Sequence, residues 1–290
     1  MKDSITAPQQ YYKFPLTDVK IEISNNIKEV EDPLYVDDFY RVTQNEFLME
    51  VDDVGTFYAA NGNFISICLN EQAKRETIEL YLNGSTYGAI LHQRKIMPMH
   101  GSCFVYGNKG IMFCGDSGAG KSSLTAAFVL DNNEFLTDDI TPIIIKNNQA
   151  LIWTMSDRIK LWEDSLKQLS QSKESLRKID PETEKFYFPL ASYTKSHFTL
   201  DHIFLLDIHD NPSISIKEMD GVEKIMTFRK EIYRLEYMFG MPENEPSFFN
   251  NLTAMCNFTK VTKLSRPKHI PIQQTQQAIA DYLDKFYKTD

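Results

Sequence analysis

Hydrophobic positions alternate in the first part of the chain. Residues 14–23 end in an extended stretch that places Val19, Ile21 and Ile23 on one side. Residues 57–69 read as two short strands around Asn61-Gly62-Asn63, a turn signal. Residues 1–75 are therefore expected to be rich in β-structure. The period then changes: Thr77, Leu80, Tyr81, Tyr87 and Leu91 recur at roughly helical spacing over 75–92, with an interruption at Asn83-Gly84.

The centre carries stronger signals. Two apolar strands, 102–106 and 111–114, flank the turn Gly107-Asn108-Lys109-Gly110. A glycine-rich loop follows, and then residues 121–130, an Ala- and Leu-containing helix. A strand begins at 134–136 and ends at Asp138-Asp139. Strands 140–145 and 150–153 bracket another hairpin turn, and 163–172 read as a short helix. Residues 173–198 are largely polar and are expected to form a mobile surface segment, a lid or substrate loop. Further strands are expected at 202–207, 213–217 and 261–264, and helices at 222–239, 247–256 and 273–287. The last helix places Ile279, Tyr282, Leu283 and Phe286 on one face.

Composition narrows the function. The chain has 290 residues, 42% hydrophobic and 24% charged, enough to bury a core in one large domain or two modest ones. Its formal net charge is −9, and no basic stripe stands out, which argues against nucleic acid as a partner. Cys68, Cys103, Cys114 and Cys256 form no Cys-x-x-Cys pair. The opening residues, Met-Lys-Asp-Ser-Ile-Thr-Ala-Pro-Gln-Gln, lack the apolar core of a secretory signal, and no run approaches a membrane span. The expectation is a cytoplasmic protein with reduced thiols and no membrane partner.

Residues 115–122 read Gly-Asp-Ser-Gly-Ala-Gly-Lys-Ser, the pattern of a phosphate-binding loop (P-loop). Glycines let backbone N–H groups turn toward phosphate, and the helix that follows presents its positive end. Gly115, Asp116, Ser117, Gly118, Ala119, Gly120, Lys121, Ser122 and Ser123 are thus candidate nucleotide contacts. Lys121 would reach the β- and γ-phosphates of ATP, and Ser122 would bind Mg²⁺. Of the adjacent Asp138 and Asp139, one carboxylate can hold the metal while the other accepts a proton. His100, taken alone, reads more often as a surface or structural residue than as a catalytic one.

Taken together, residues 100–139 resemble the catalytic core of HPr kinase/phosphorylase. The shared features are His-Gly, a hairpin, an apolar strand, Gly-Asp-Ser-Gly-x-Gly-Lys-Ser, a helix and an Asp-Asp pair. Fifteen residues separate His100 from Gly115, and seventeen separate Lys121 from Asp138. The resemblance implies an α/β fold with a mixed sheet and a P-loop kinase core related to phosphoenolpyruvate carboxykinase. With the β-rich pattern of the first part of the chain, this gives a β-rich N-terminal subdomain at 1–92 and, on the resemblance, an HPr-kinase-like catalytic domain at 93–290. It further implies Asp138 as general base, His100 orienting it, and Asp139 assisting Mg²⁺ with Ser122. Weaker similarity reaches Leu91-His92-Gln93-Arg94, Arg158-Ile159-Lys160-Leu161-Trp162 and Leu264-Ser265-Arg266-Pro267. Arg158, Lys160 and Arg266 are candidate substrate or phosphate contacts on that ground.

A signature of the Glu-Ile-Arg-Gly type, which follows the aspartates in HPr kinases, is absent. The first hundred residues also differ from the regulatory domain of those enzymes. The resemblance therefore implies an ATP- and Mg²⁺-dependent kinase acting on a serine of another peptide or protein. Relatives that modify ribosomal peptide precursors, lasso peptides among them, are the nearest comparison. The alternatives are a kinase of a small hydroxylated metabolite such as free serine, and a nucleotide-binding regulator without catalysis. Homo-oligomerisation is left open.

Overall fold

The computed structural model describes residues 14–191 and 193–287. The reading of the first thirteen residues lies outside it. The described residues form a mixed α/β structure that divides into two units. The first reaches to Pro98 and takes in Ile179–Pro181 and Arg234–Phe249. The second comprises Met99–Lys178, Glu182–Tyr233 and the chain from Asn250 onward.

In the first unit, alternation produces a six-stranded sheet from β1 (Lys20–Ile23), β2 (Tyr35–Val36), β3 (Tyr40–Val42), β4 (Glu46–Val51), β5 (Gly55–Ala60) and β6 (Phe64–Leu69), in the order β1-β6-β5-β4-β3-β2. Asn61 and Gly62, both at positive φ, close the β5–β6 hairpin. Phe47, Met49, Phe57 and Ile65 are fully buried. Helices α1 (Arg75–Tyr81) and α2 (Tyr87–Gln93) are joined by a π-helical turn, Leu82–Thr86. That turn is the Asn83-Gly84 interruption: the chain stays helical and widens by one residue per turn.

The sequence pattern over 222–239 suggests one helix. Instead, α5 (Gly221–Lys230) stops, Arg234 adopts a left-handed conformation at φ 53°, and a 3₁₀ turn runs over Leu235–Phe239. Aromatic packing accounts for the break. Tyr237 is buried edge-on against Tyr40, at 5.2 Å between ring centres, and 5.0 Å from Phe47. A continuous helix has no means of putting that ring there. A contiguous division at residue 92 assigns this stretch to the C-terminal part, whereas its packing ties it to the first unit.

The second unit is built on a mixed sheet. Its strands are β7 (Met97–His100), β8 (Ser102–Tyr106), β9 (Lys109–Gly115), β10 (Glu134–Thr137), β11 (Ile140–Lys146), β12 (Gln149–Trp153), β16 (His197–His209), β17 (Ser215–Glu218) and β18 (Lys260–Pro267). The path is β10-β8-β9-β16-β12-β11-β7, with β18 beside β16 and β17 beside β18. The strands β9, β16 and β18 run parallel, and Gly115, Leu206 and Leu264 stand at one level. Helices α3 (Lys121–Leu130) and α7 (Ile272–Tyr287) pack Leu124, Phe128, Ile279 and Leu283 over Phe104, Phe113 and Phe204. Helix α6 (Glu245–Phe258) leads into β18. In α7, Ile279 and Leu283 are fully buried while Phe286 is exposed.

Residues 173–198 are not the open loop that their polar composition suggests. They contain β14 (Arg177–Lys178) and β15 (Lys185–Pro189), which join β13 (Arg158–Trp162) in a small sheet of order β13-β15-β14. Phe186 packs inward with Ile159, Leu161 and Leu166, the last from α4 (Glu163–Gln168). A five-residue strand with Phe186 and Tyr187 buried needs only a few apolar side chains, and the surrounding lysines and glutamates mask it. Among the described residues no helix is long and apolar enough to cross a membrane.

Candidate functional site

The glycine-rich loop connects the end of β9 to the start of α3, at the carboxyl end of the parallel strands, where open α/β sheets place their ligands. Gly115 has φ 127° and Gly120 φ 105°. A Cβ on Gly115 would also collide with the Leu206 carbonyl oxygen, because β9 and β16 pair at that level. Lys121 is buried, and its Nζ donates to the Gly115 carbonyl at 2.6 Å and the Asp116 carbonyl at 3.2 Å. Its ammonium is thus held inside the loop. Arg266, two residues beyond the Gly115 level on β18, donates from Nε and Nη2 to the Ala119 carbonyl at 3.3 and 2.9 Å. The Ser123 and Ser165 hydroxyls pair at 2.7 Å, joining α3 to α4.

Asp138 and Asp139 occupy the corner between β10 and β11, and Asp139 turns the chain at φ 70°. That turn sends the two carboxylates to different partners. Asp138 accepts from the Ser122 hydroxyl at 2.8 Å and from the Lys160 N–H at 3.0 Å. Burial pushes it up, the Asp139 carboxylate adds to the rise, and these two hydrogen bonds oppose it. Asp139 accepts from Lys160 Nζ at 2.6 Å. Burial would raise it too, but the Lys160 ammonium more than offsets this and holds it below the usual carboxylate range. Burial pulls Lys160 down, and the Asp139 carboxylate more than restores it, so both members stay charged.

His100 lies at the end of β7, fixed by its N–H donating to the Glu231 carbonyl at 2.7 Å. Its Nε2 stands 3.7 Å from Asp139 Oδ1. Burial, reinforced by Lys121, lowers its pKa to about 4, so the imidazole is neutral at physiological pH. The sequence reading placed His100 beside Asp138, and Asp139 beside Ser122. The structure brings His100 to Asp139, and Ser122 to Asp138.

His100, Lys121, Ser122, Asp139, Lys160 and Arg266 open onto a cleft of about 340 Å³, which Asp138 does not line. Its walls carry Lys121, Lys160, Lys185, Arg266 and Lys268, five cations, against the carboxylates Asp139 and Asp164. In a chain of net charge −9, such a local excess marks a place for a polyanion. Ser117, Gly118, Gly120, Ser122 and Ser123 also line the cleft, whereas Gly115, Asp116 and Ala119 do not. Arg158 is not on this wall; its guanidinium stacks over the Tyr187 ring at 4.0 Å.

Sequence reasoning missed two members of the site. Lys185 reaches the cleft from β15, opposite Trp162 in the register, and burial among cations lowers its pKa. The Lys-Phe-Tyr-Phe alternation at 185–188 was the available signal. Glu231 accepts the Gly115 N–H on Oε2 at 2.9 Å while its own carbonyl holds His100. Burial raises its carboxyl. No local pattern announces this residue, because its contacts are to chain more than a hundred positions away.

No cage of three or more His, Cys, Asp or Glu side chains is present among the described residues. The Ser122 hydroxyl and the Asp138 carboxylate do put two hard oxygen donors 2.8 Å apart at the start of α3. Such a pair suits Mg²⁺, which keeps several waters and takes few protein ligands.

Comparisons with known proteins give the following. No family model matches the chain, and no curated protein matches it. Among solved structures, the chain is similar to the HPr(Ser) kinase/phosphatase from Coxiella burnetii at a TM-score of 0.34 and 12% sequence identity, covering 66% of this chain and 99% of that one.

Proposed function

We propose that the protein is an ATP- and Mg²⁺-dependent phosphotransferase that moves the γ-phosphoryl group to a serine hydroxyl of a peptide or protein. The observation that carries this reading is the shared cleft. Its lining combines a glycine loop carrying an inward lysine with an ionised carboxylate beside a neutral histidine. The motif resemblance of residues 100–139 to HPr kinase/phosphorylase supports the choice of serine. The P-loop amides and Lys121 hold the phosphates, and Lys185 and Arg266 balance their charge.

The geometry favours a revised division of labour. Asp139, which faces the cleft, accepts the proton of the attacking hydroxyl as its oxygen bonds to the γ-phosphorus and the bond to the ADP leaving group breaks. Lys160 keeps that carboxylate ionised, and His100 fixes its other side. Ser122 and Asp138 would hold Mg²⁺, which supplies charge neutralisation to the phosphates when bound.

The test measures MgATP affinity and phosphoserine formation, by mass spectrometry, on serine-bearing peptides and on free serine. Asp139→Asn should lower transfer at least about a hundredfold while leaving nucleotide affinity within about threefold. Asp138→Asn should instead raise the Mg²⁺ concentration needed. Lys121→Ala should weaken both binding and transfer. Tight ATP binding with no transfer to any serine substrate would replace this reading with a non-catalytic regulator.

A further inference from the structure

The small sheet β13-β15-β14 has two unlike faces. On one, Ile159, Leu161 and Phe186 pack with Leu166 of α4. The other follows from alternation and register. Lys160 and Trp162 alternate with Ile159 and Leu161 along β13, and Trp162 stands opposite Lys185 on β15, so these three side chains share the remaining face. All three line the cleft. Trp162 is half-exposed there, and the Lys185 ammonium lies over its ring, 5.5 Å from the centre.

The five cations of the cleft are not alike. Lys121 and Arg266 donate to carbonyls of the glycine loop, and Lys160 is paired with Asp139. Lys268 is exposed. Lys185 is half-buried, and among the described residues its ammonium makes neither an ion pair nor a hydrogen bond. A ring face holds a cation in place while leaving most of its N–H donors available. A half-buried ammonium with available donors is unfavourable alone, and a multiply charged oxyanion beside it removes that penalty. The position of Lys185 narrows the choice of oxyanion. Among the charges acting on it Asp139 is the strongest, followed by Lys160, Asp138 and Lys121. A phosphoryl group moving toward the proton acceptor therefore moves toward Lys185.

We propose that Lys185, held by the Trp162 ring, is the cation that stabilises the phosphoryl group in transit. The inference rests on the phosphotransferase reading above and goes beyond charge balance in bound ATP, because Lys185 acts more strongly on the transition state than on the nucleotide. As the acceptor oxygen bonds to the γ-phosphorus, the bond from that phosphorus to the β–γ bridging oxygen breaks and its electron pair stays on ADP. The acceptor proton passes to Asp139. Lys185 keeps its protons and donates to a non-bridging oxygen of the transferred group. Trp162 touches no reacting atom. It is a positioning residue, which a lysine on a flexible four-carbon stem requires.

The test uses the full-length protein and needs no identified acceptor. MgADP with aluminium fluoride mimics the group in transit, and ATP hydrolysis by water reports transfer to a solvent oxygen. Lys185→Met should weaken the aluminium fluoride complex about a hundredfold and slow hydrolysis by a similar factor, while MgADP and MgATP affinities stay within about threefold. Lys185→Arg should recover at least about tenfold of each loss. Trp162→Leu should lower both readouts about fivefold, the size of one cation–π contact, and Trp162→Phe should recover most of that. In the Lys185→Met background Trp162→Leu should have no further effect, whereas a packing defect would add to it. Additive losses, or a loss of MgATP affinity as large as that of the fluoride complex, overturn the inference. So does a Lys185→Met protein whose only change is a higher KM for a serine peptide, which would make Lys185 a contact of the acceptor. An unsubstituted protein that binds no MgATP overturns the phosphotransferase reading itself, and one that binds it with neither hydrolysis nor a fluoride complex overturns catalysis; the inference falls with either.

Discussion

Replacing Lys160 by methionine would leave the Asp139 carboxylate without its counter-ion in a partly buried corner. At 2.6 Å between Nζ and Oδ2, and with an effective dielectric of about 20, the gross attraction is about 6 kcal/mol. Desolvation of the two ions offsets much of that. Removing one partner of a buried pair typically costs about 3–5 kcal/mol. The Lys160 and Asp139 side chains keep 17% and 29% of their surface exposed, which puts the expected loss near the low end, about 3 kcal/mol at pH 7. The pH dependence gives the prediction its sign. In the native protein Asp139 is depressed on folding, so its contribution is complete above an unfolded pKa of about 3.9 and is lost as pH falls through the lower folded value. Lys160 is raised on folding; its contribution is complete below about 10.4 and is lost only as pH rises past the folded value. In Lys160→Met, the burial that raises Asp139 is no longer offset by the Lys160 ammonium, so its folded pKa moves up and the variant loses stability relative to the parent as pH rises. Urea denaturation of both proteins between pH 4.5 and about 7 should therefore show a gap that is widest at neutral pH and narrows toward acid. Adding Asp139→Asn should restore most of the loss, since no orphan charge remains. A gap independent of pH, or a double variant as unstable as Lys160→Met, would refute the ion-pair account.

Three further outcomes follow from the same geometry. Gly115→Ala should destabilise the protein by at least about 3 kcal/mol, because the new Cβ meets the Leu206 backbone and φ 127° is strained for any other residue; a denaturation midpoint equal to the parent's would show that β9 and β16 are not paired as described. Glu231→Gln keeps an acceptor for the Gly115 N–H and should retain nucleotide affinity, whereas Glu231→Ala frees the first loop amide and should raise Kd for ATP about three- to tenfold; equal effects of both would make the charge, not the hydrogen bond, the important feature. Because burial holds His100 near pKa 4, its imidazole carries no charge from pH 5.5 to 8, and the rate profile of the proposed transfer should lack an inflection near 6.5 that His100→Asn removes.

Much of the local structure was legible along the chain, and for a local reason. The hairpin at Asn61-Gly62, the β8–β9 hairpin, and the helix starting at Lys121 each depend on residues within a few positions: turn glycines, alternation, and helix formers after a loop. The π-helical widening appeared as a break at Asn83-Gly84, and the aspartate pair as two acids at a strand end. By contrast, the halt of α5 before Tyr237 was hidden, since its cause is the ring's burial against Tyr40 and Phe47, which are nearly two hundred positions away.

The sequence by itself determined that a glycine loop with an inward lysine would sit between an apolar strand and a helix. Those features are written in backbone freedom and short-range periodicity. Only the tertiary structure decided which acid meets which partner. The left-handed turn at Asp139 separates two adjacent carboxylates, sending Asp138 to Ser122 and Asp139 to Lys160 and His100. It also brought Lys185 out of a segment that reads as loop, and Glu231 to the first amide of the glycine loop. Such pairings are set by strand register and by burial, which act between residues remote in the chain.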